Sequence, residues 1–141
     1  MIDKNQVLAF IKKNSLCVLS TATLDGQTES AVMAYTAKDD FTILMSTETT
    51  TRKYPNILAN PQASVVIGGL NNDPSIQIDG QIKVLQGPSA DEAKTTILSL
   101  HPDLAAYINT PNTKFLAFTP NWLRYSDFSQ NPPEITELTN F

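Results

Sequence analysis

The chain has one cysteine, one histidine, one tryptophan and five glycines among 141 residues. A lone Cys17 excludes an internal disulfide. One cysteine with only His101 beside it cannot furnish the usual four-ligand zinc site, so no metal is expected. Cys17 lies in the apolar run Leu16–Leu19, where a buried, inert thiol is the expected state. No apolar run of signal-peptide length opens the sequence, and none reaches the ~20 residues of a membrane span. A cytoplasmic protein without a membrane partner is therefore expected. A basic surface is lacking too: the net charge of −4 excludes a general nucleic-acid binder, which needs a cationic face along the phosphates. Gly68-Gly69 is too sparse for a dinucleotide loop, and no βαβ unit surrounds it. No Ser/His/Asp arrangement can be read, so catalytic residues stay unknown. Trp122 is expected to pack in the core or an interface.

What is present is an ordinary globular composition, 41% hydrophobic and 17% charged, long enough for one domain with a real core. Asp3 and Gln6 form a capping box ahead of Val7, Leu8, Phe10 and Ile11, which predicts a helix over 4–13. Leu16–Thr23, the turn Asp25-Gly26 and Thr28–Ala37 predict a hairpin. Lys38-Asp39-Asp40 turns the chain into a third strand, Phe41–Ser46. A short helix follows over Arg52–Ala59, with Pro55 in its first turn and Asn60-Pro61 as its stop. Ala63–Ile67 and Ser75–Gln86 read as strands, with Gly80 marking a bulge or a close backbone approach. Ser89 to Glu92 reads as a capping box opening a helix to about Leu100. A short helical piece, Asp103–Ile108, and two strands, Phe115–Thr119 and Trp122–Phe128, complete the pattern. Six or seven antiparallel strands with helices at the turns predict a β-rich α+β fold, a small barrel.

The densest chemistry sits between the third strand and the second helix. Ser46, Thr47, Thr49, Thr50 and Thr51 supply five hydroxyls, and Arg52 and Lys53 two adjacent cations. Hydroxyls, a planar guanidinium and a point-charge amine are the donors that a phosphate needs. In an acidic chain this local positive spot points to a small phosphorylated ligand. At least one of the hydroxyls is expected to cap the helix.

The order and spacing of these pieces resemble the pyridoxamine 5′-phosphate oxidase-like, FMN-binding split-barrel superfamily. The pieces are the opening helix, Leu16–Thr21, Asp25-Gly26-Gln27, Phe41–Thr47, Arg52-Lys53 through Asn60-Pro61, Ile78–Ile82, and Phe118-Thr119-Pro120 before Trp122–Asp127. The likeness spans roughly residues 3–128. It implies an antiparallel split β-barrel with Greek-key connections and peripheral helices. Residues 1–128 would form the FMN-binding domain and 129–141 a polar C-terminal tail. It further implies a homodimer with FMN in a groove between the chains. Ser46 and Thr47 would touch the flavin or its phosphate, Arg52 and Lys53 would grip the phosphate, and Ala31, Val32 and Met33 would lie along the ring. The family's additional arginine in the second strand is missing near Ser30, and its arginine-rich substrate motif is absent from residues 87–114. The implied activity is a flavin-dependent oxidoreductase acting on an unidentified small molecule. The alternatives are a non-catalytic flavin carrier or stress-related sensor, a member using deazaflavin or haem, or a ligand-free structural dimer.

Overall fold

A computed structural model describes all residues, Met1–Phe141. Helix α1 (Lys4–Lys13) begins as its capping box requires: Gln6 N–H donates to the Asp3 carboxylate at 2.9 Å, and Asp3 N–H donates to the Gln6 side chain at 2.8 Å. Its Val7 and Ile11 are fully buried. Strand β1 (Leu16–Ala22) turns at Gly26, whose φ of +92° a glycine adopts without strain, and returns as β2 (Thr28–Ala34).

The predicted strand Thr28–Ala37 is two strands. β2 pairs with β1, whereas β3 (Thr36–Ala37) pairs with β4 (Ile43–Glu48). The strand order is β2-β1-β5-β6-β7-β4-β3, with β5 Gln62–Gly68, β6 Ser75–Val84 and β7 Thr113–Asp127. Every pairing is antiparallel. β2 and β3 are thus opposite borders of one sheet, yet only Tyr35 separates them. The sheet must curl until its borders meet, which makes it a split barrel with peripheral helices, as expected.

Tyr35 holds that seam. It is 2% exposed, its N–H donates to Ser15 O at 3.0 Å, and its hydroxyl donates to Ile11 O at 2.5 Å. β4 starts later than predicted because Phe41 sits in a left-handed turn, φ +67°, closed by Lys38 N–H donating to Thr42 O at 2.8 Å.

β7 is one strand of 15 residues where two were predicted. Pro120 does not break it because the ladder shifts register there: Asp79 faces Trp122 and Gly80 faces Pro120. A bulge tolerates the missing N–H. Gly80 is required at that point, since a Cβ on it would meet Thr119 O at 2.2 Å and the Phe118 ring at 2.8 Å.

Two more readings change. Helix α3 (Pro88–Leu100) starts with Pro88 in its first turn behind Gly87, and Ser89 and Glu92 form no capping box. The Ser89 hydroxyl donates back to Gln86 O at 2.9 Å. Within the stretch read as a polar tail, Glu134–Leu138 is strand β8, paired with Leu123–Asp127 of β7.

The barrel interior is one apolar cluster, with Phe118, Ile43, Ile76, Ile82 and Leu123 at its centre. Leu44, Phe115 and Ala117, on the other face of β4 and β7, form a second cluster with Ala93 and Ile97 of α3. Cys17 is 3% exposed, buried as expected, and burial pushes its thiol up to about 12, which favours the neutral form. No helix is long and apolar enough to cross a membrane.

Gly80→Ala is expected to destabilise the fold by about 1–3 kcal/mol or more, as overpacking against rigid backbone does, read as a lowered urea midpoint at unchanged m-value. An unchanged midpoint would mean that β6 and β7 are not locked at this bulge.

Candidate functional site

Past the short pairing of β3 with β4, each border of the sheet is free. Met45–Glu48 of β4 bond only to β7 on one side, and β2 bonds only to β1. The unpaired N–H and C=O groups of two facing strand edges are a ready hydrogen-bonding surface. A cleft of about 290 Å³ lies at this split, lined by Val32, Met33, Ser46, Thr47, Thr51 and Lys53, among others. Tyr107 and Ile108 of the short helix α4 (Ala105–Ile108) cover it from one side.

The sequence-predicted residues divide between this cleft and a smaller one. Val32, Met33, Ser46, Thr47 and Lys53 line the larger cleft. Ala31 and Arg52 line an adjoining cavity of about 50 Å³ with Leu19, Glu29, Ser30 and Lys53. Lys53 borders both spaces, so the two are neighbours across its side chain. Trp122 and His101 line neither. His101 ends α3, where its N–H donates to Ile97 O at 2.8 Å.

The hydroxyls are already partly engaged. Thr47 Oγ1 lies 2.9 Å from Thr51 Oγ1, and Thr51 donates to Glu48 O at 2.9 Å. None of them caps helix α2 (Lys53–Ala59), whose N-cap position is Arg52 without a side-chain bond. The expected cap is absent because Thr51 turns back to the strand instead. The Glu48 carboxylate accepts from Thr110 at 2.9 Å and Thr113 at 3.0 Å, which fastens the end of β4 to the start of β7.

The two cations differ. Lys53 is half-buried. Burial first, and then the charge of Arg52, hold its amine below the usual lysine range. An anion bound beside it would favour the charged form and oppose that shift. The Arg52 side chain is 68% exposed, and its Nη1 lies 3.2 Å from Glu29 Oε2.

Sequence reasoning missed Glu29 and Asn56. Asn56 is 6% exposed, and its Nδ2 donates to Glu29 Oε1 at 2.7 Å and to Thr21 Oγ1 at 3.2 Å. The Asp25-Gly26 hairpin held the signal, because it sets Thr21 opposite Glu29 in the β1–β2 register.

The family model described as Pyridoxamine 5′-phosphate oxidase matches residues 4–127. The chain belongs to that family. No match was found among curated proteins. Solved structures of the same fold include a haem-binding protein from Mycobacterium smegmatis, with TM-score 0.78 and 14% identity. That match covers 99% of this chain and 59% of the other, so the chain spans somewhat over half the length of that relative. General Stress Protein 26 from Bacillus anthracis superposes with TM-score 0.72 at 22% identity, covering 96% and 98% of the two chains. A pyridoxamine 5′-phosphate oxidase-related, FMN-binding protein from Nostoc punctiforme superposes with TM-score 0.73 at 12% identity, covering 98% and 96%. At these identities the likeness establishes the shared fold.

Asn56→Ala is expected to cost about 1–3 kcal/mol, because it strips a partner from a nearly buried carboxylate and from the Thr21 hydroxyl. Denaturant unfolding of the purified variant measures it. A change below about 0.5 kcal/mol, ordinary for a surface substitution, would show that this buried link contributes little.

Proposed function

We propose that the cleft between the β2 and β4 edges binds FMN and that the protein is a flavin-dependent oxidoreductase acting on a small molecule. The observation that carries this reading is the meeting of two free strand edges with Lys53 and Arg52 at one end. A flavin has a planar ring with a polar edge and a phosphorylated tail. Backbone groups of Val32–Met33 and Ser46–Thr47 suit the ring edge, and the cations suit the tail. Bound there, the isoalloxazine supplies the hydride-transfer chemistry. The chain's own part is to orient the ring with its strand edges, hold the phosphate with Lys53 and Arg52, and exclude water with Met33, Tyr107 and Ile108. No side-chain acid or base is required, so the lack of a catalytic constellation is compatible with turnover.

The active unit we infer is a homodimer. Ligand pockets commonly measure about 300–1,000 Å³, and one chain encloses 290 Å³, which leaves room for a wall from a second copy. An exposed apolar row supports this. Val18 faces Val32 on one side and Val66 on the other, at exposures of 38%, 69% and 43%. Val32 belongs to both the row and the cleft, so a partner seated on the row would border the ligand.

Haem is the less favoured occupant, although one structural relative binds it. Neither His101 nor Cys17 lines the cleft, which leaves Tyr107 and Met33 as the haem-ligating residue types there. A carrier or sensor differs from an enzyme in turnover alone.

The purified protein is expected to be yellow and to release FMN on denaturation, or to quench the fluorescence of added FMN. Colourless protein that leaves FMN fluorescence unchanged would reject the flavin reading. Anaerobic reduction by a nicotinamide cofactor, followed by steady reoxidation with an acceptor, separates the enzyme from the carrier. Replacing Arg52 and Lys53 together by Ala is expected to weaken FMN by about 1.5–3 kcal/mol, the worth of a charge-assisted bond, while riboflavin changes little. Equal losses for both ligands would count against the phosphate role. Val18→Asp is expected to convert a dimer to a monomer in analytical ultracentrifugation, and a wild-type monomer would remove the dimer proposal.

A further inference from the structure

Glu29 is the one acidic side chain set into the subsite that holds the paired cations. Its side chain is 12% exposed, although it sits on a border strand. Both carboxylate oxygens are committed. Oε1 accepts from Asn56 Nδ2 at 2.7 Å, and Oε2 lies 3.2 Å from Arg52 Nη1. Gln27 adds a long bond to Oε2 at 3.4 Å. Asn56 is itself anchored to Thr21 of β1, so the carboxylate is held from two elements. A surface ion pair between mobile side chains has no such anchoring.

The charge balance follows directly. Arg52 and Lys53 contribute two positive charges, and Glu29 removes one. The Arg52 side chain is 68% exposed and that of Glu29 only 12%, so an arriving anion can reach the guanidinium while the carboxylate stays paired to it. That anion gains the attraction of the cations and suffers the repulsion of the carboxylate, and the repulsion grows with each charge the anion carries. The adjoining cavity of about 50 Å³, which Glu29, Ser30, Arg52 and Lys53 line together, places all three charges around one small space.

We propose that Glu29 is a charge-selecting residue. By holding Arg52 it weakens the grip of the subsite on a doubly charged phosphate, so the cleft accepts flavin tails of lower charge with little loss. This rests on the flavin reading for the identity of the ligand, but not for the presence of an anion subsite. Glu29 need not touch the ligand; its effect runs through Arg52 and through space.

The experiment compares wild type with Glu29→Gln, which removes the charge and keeps an acceptor for Asn56. FMN and riboflavin are titrated separately by fluorescence quenching at one ionic strength. The ratio of FMN to riboflavin affinity is expected to rise about three- to tenfold in the variant, the range for one unit charge several ångströms away near a protein surface. Riboflavin affinity alone is expected to stay within twofold, since it lacks the charge on which Coulomb repulsion acts. In a second arm, inorganic phosphate is added against chloride at equal ionic strength and the thermal midpoint is read. Phosphate is expected to raise the midpoint more in the variant than in wild type.

An unchanged ratio would show that Glu29 merely ties β2 to α2, and a falling ratio would show that it orients Arg52 for the phosphate. Either result overturns the proposal. If neither protein binds any flavin, the flavin reading fails, and the phosphate arm decides the role of Glu29 alone. Equal phosphate shifts in the two proteins overturn it there. Should Glu29→Gln misfold by circular dichroism, Glu29→Thr, a residue at ease in a strand, is taken through the same two arms.

Discussion

The chain leaves β2 at one border of the sheet and enters β3 at the other, with Tyr35 as the residue between. That covalent link is shorter than any loop, so the two borders cannot drift apart. Its cost in backbone freedom is offset by burial of the Tyr35 ring and by its bonds to Ser15 and Ile11. The cleft is a direct result. The borders are pinned together at Tyr35 and diverge beyond it, so a wedge of space opens with unpaired backbone on both sides. The proposed ligand site needs no insertion and no special loop, because the cleft is the place where a curled sheet fails to close.

Local chemistry is then laid onto that wedge. Ser46 and Thr47 lie on β4 as it runs out of strand, and Lys53 follows after one turn. The Glu48 carboxylate, bonded to Thr110 and Thr113, keeps this corner from fraying. Lys53 is drawn far enough inward that its amine is held below its ordinary range, whereas Arg52 stays outside against Glu29. The two adjacent cations therefore have unlike surroundings, one desolvated and one partly neutralised.

Much of this was legible in the residues. The capping box of α1, the Asp25-Gly26 hairpin and the Gly80 irregularity each have a local cause, and each is found. Ser46, Thr47, Thr51 and Lys53 of the hydroxyl-and-cation segment line the cleft at the split of the sheet. Several misreadings share one origin, which is that long-range pairing overrides local signals. Pro120 looks like a break in isolation, yet Gly80 across the ladder makes room for it. Thr28–Ala37 looks like one strand because nothing local reveals that its ends serve different neighbours. Glu134–Leu138 has only Ile135 and Leu138 as apolar residues and becomes a strand because β7 offers it a partner. Glu29 escaped notice for the same reason: a lone acid on a strand is unremarkable until Asn56, from a helix 27 residues away, is brought beside it.

β7 joins β6 along one side and, on the other, β4 with its first half and β8 with its second. Two of its partners, β4 and β6, lie far back along the chain, so most of its bonds join residues distant in sequence, and only the β8 pairing is local. Proteins dominated by such distant pairings assemble slowly, on about the millisecond-to-second scale rather than in microseconds. During that delay the β2 and β4 edges lie open to other molecules, and a freshly made chain is at its most vulnerable to sticking before this central strand is seated.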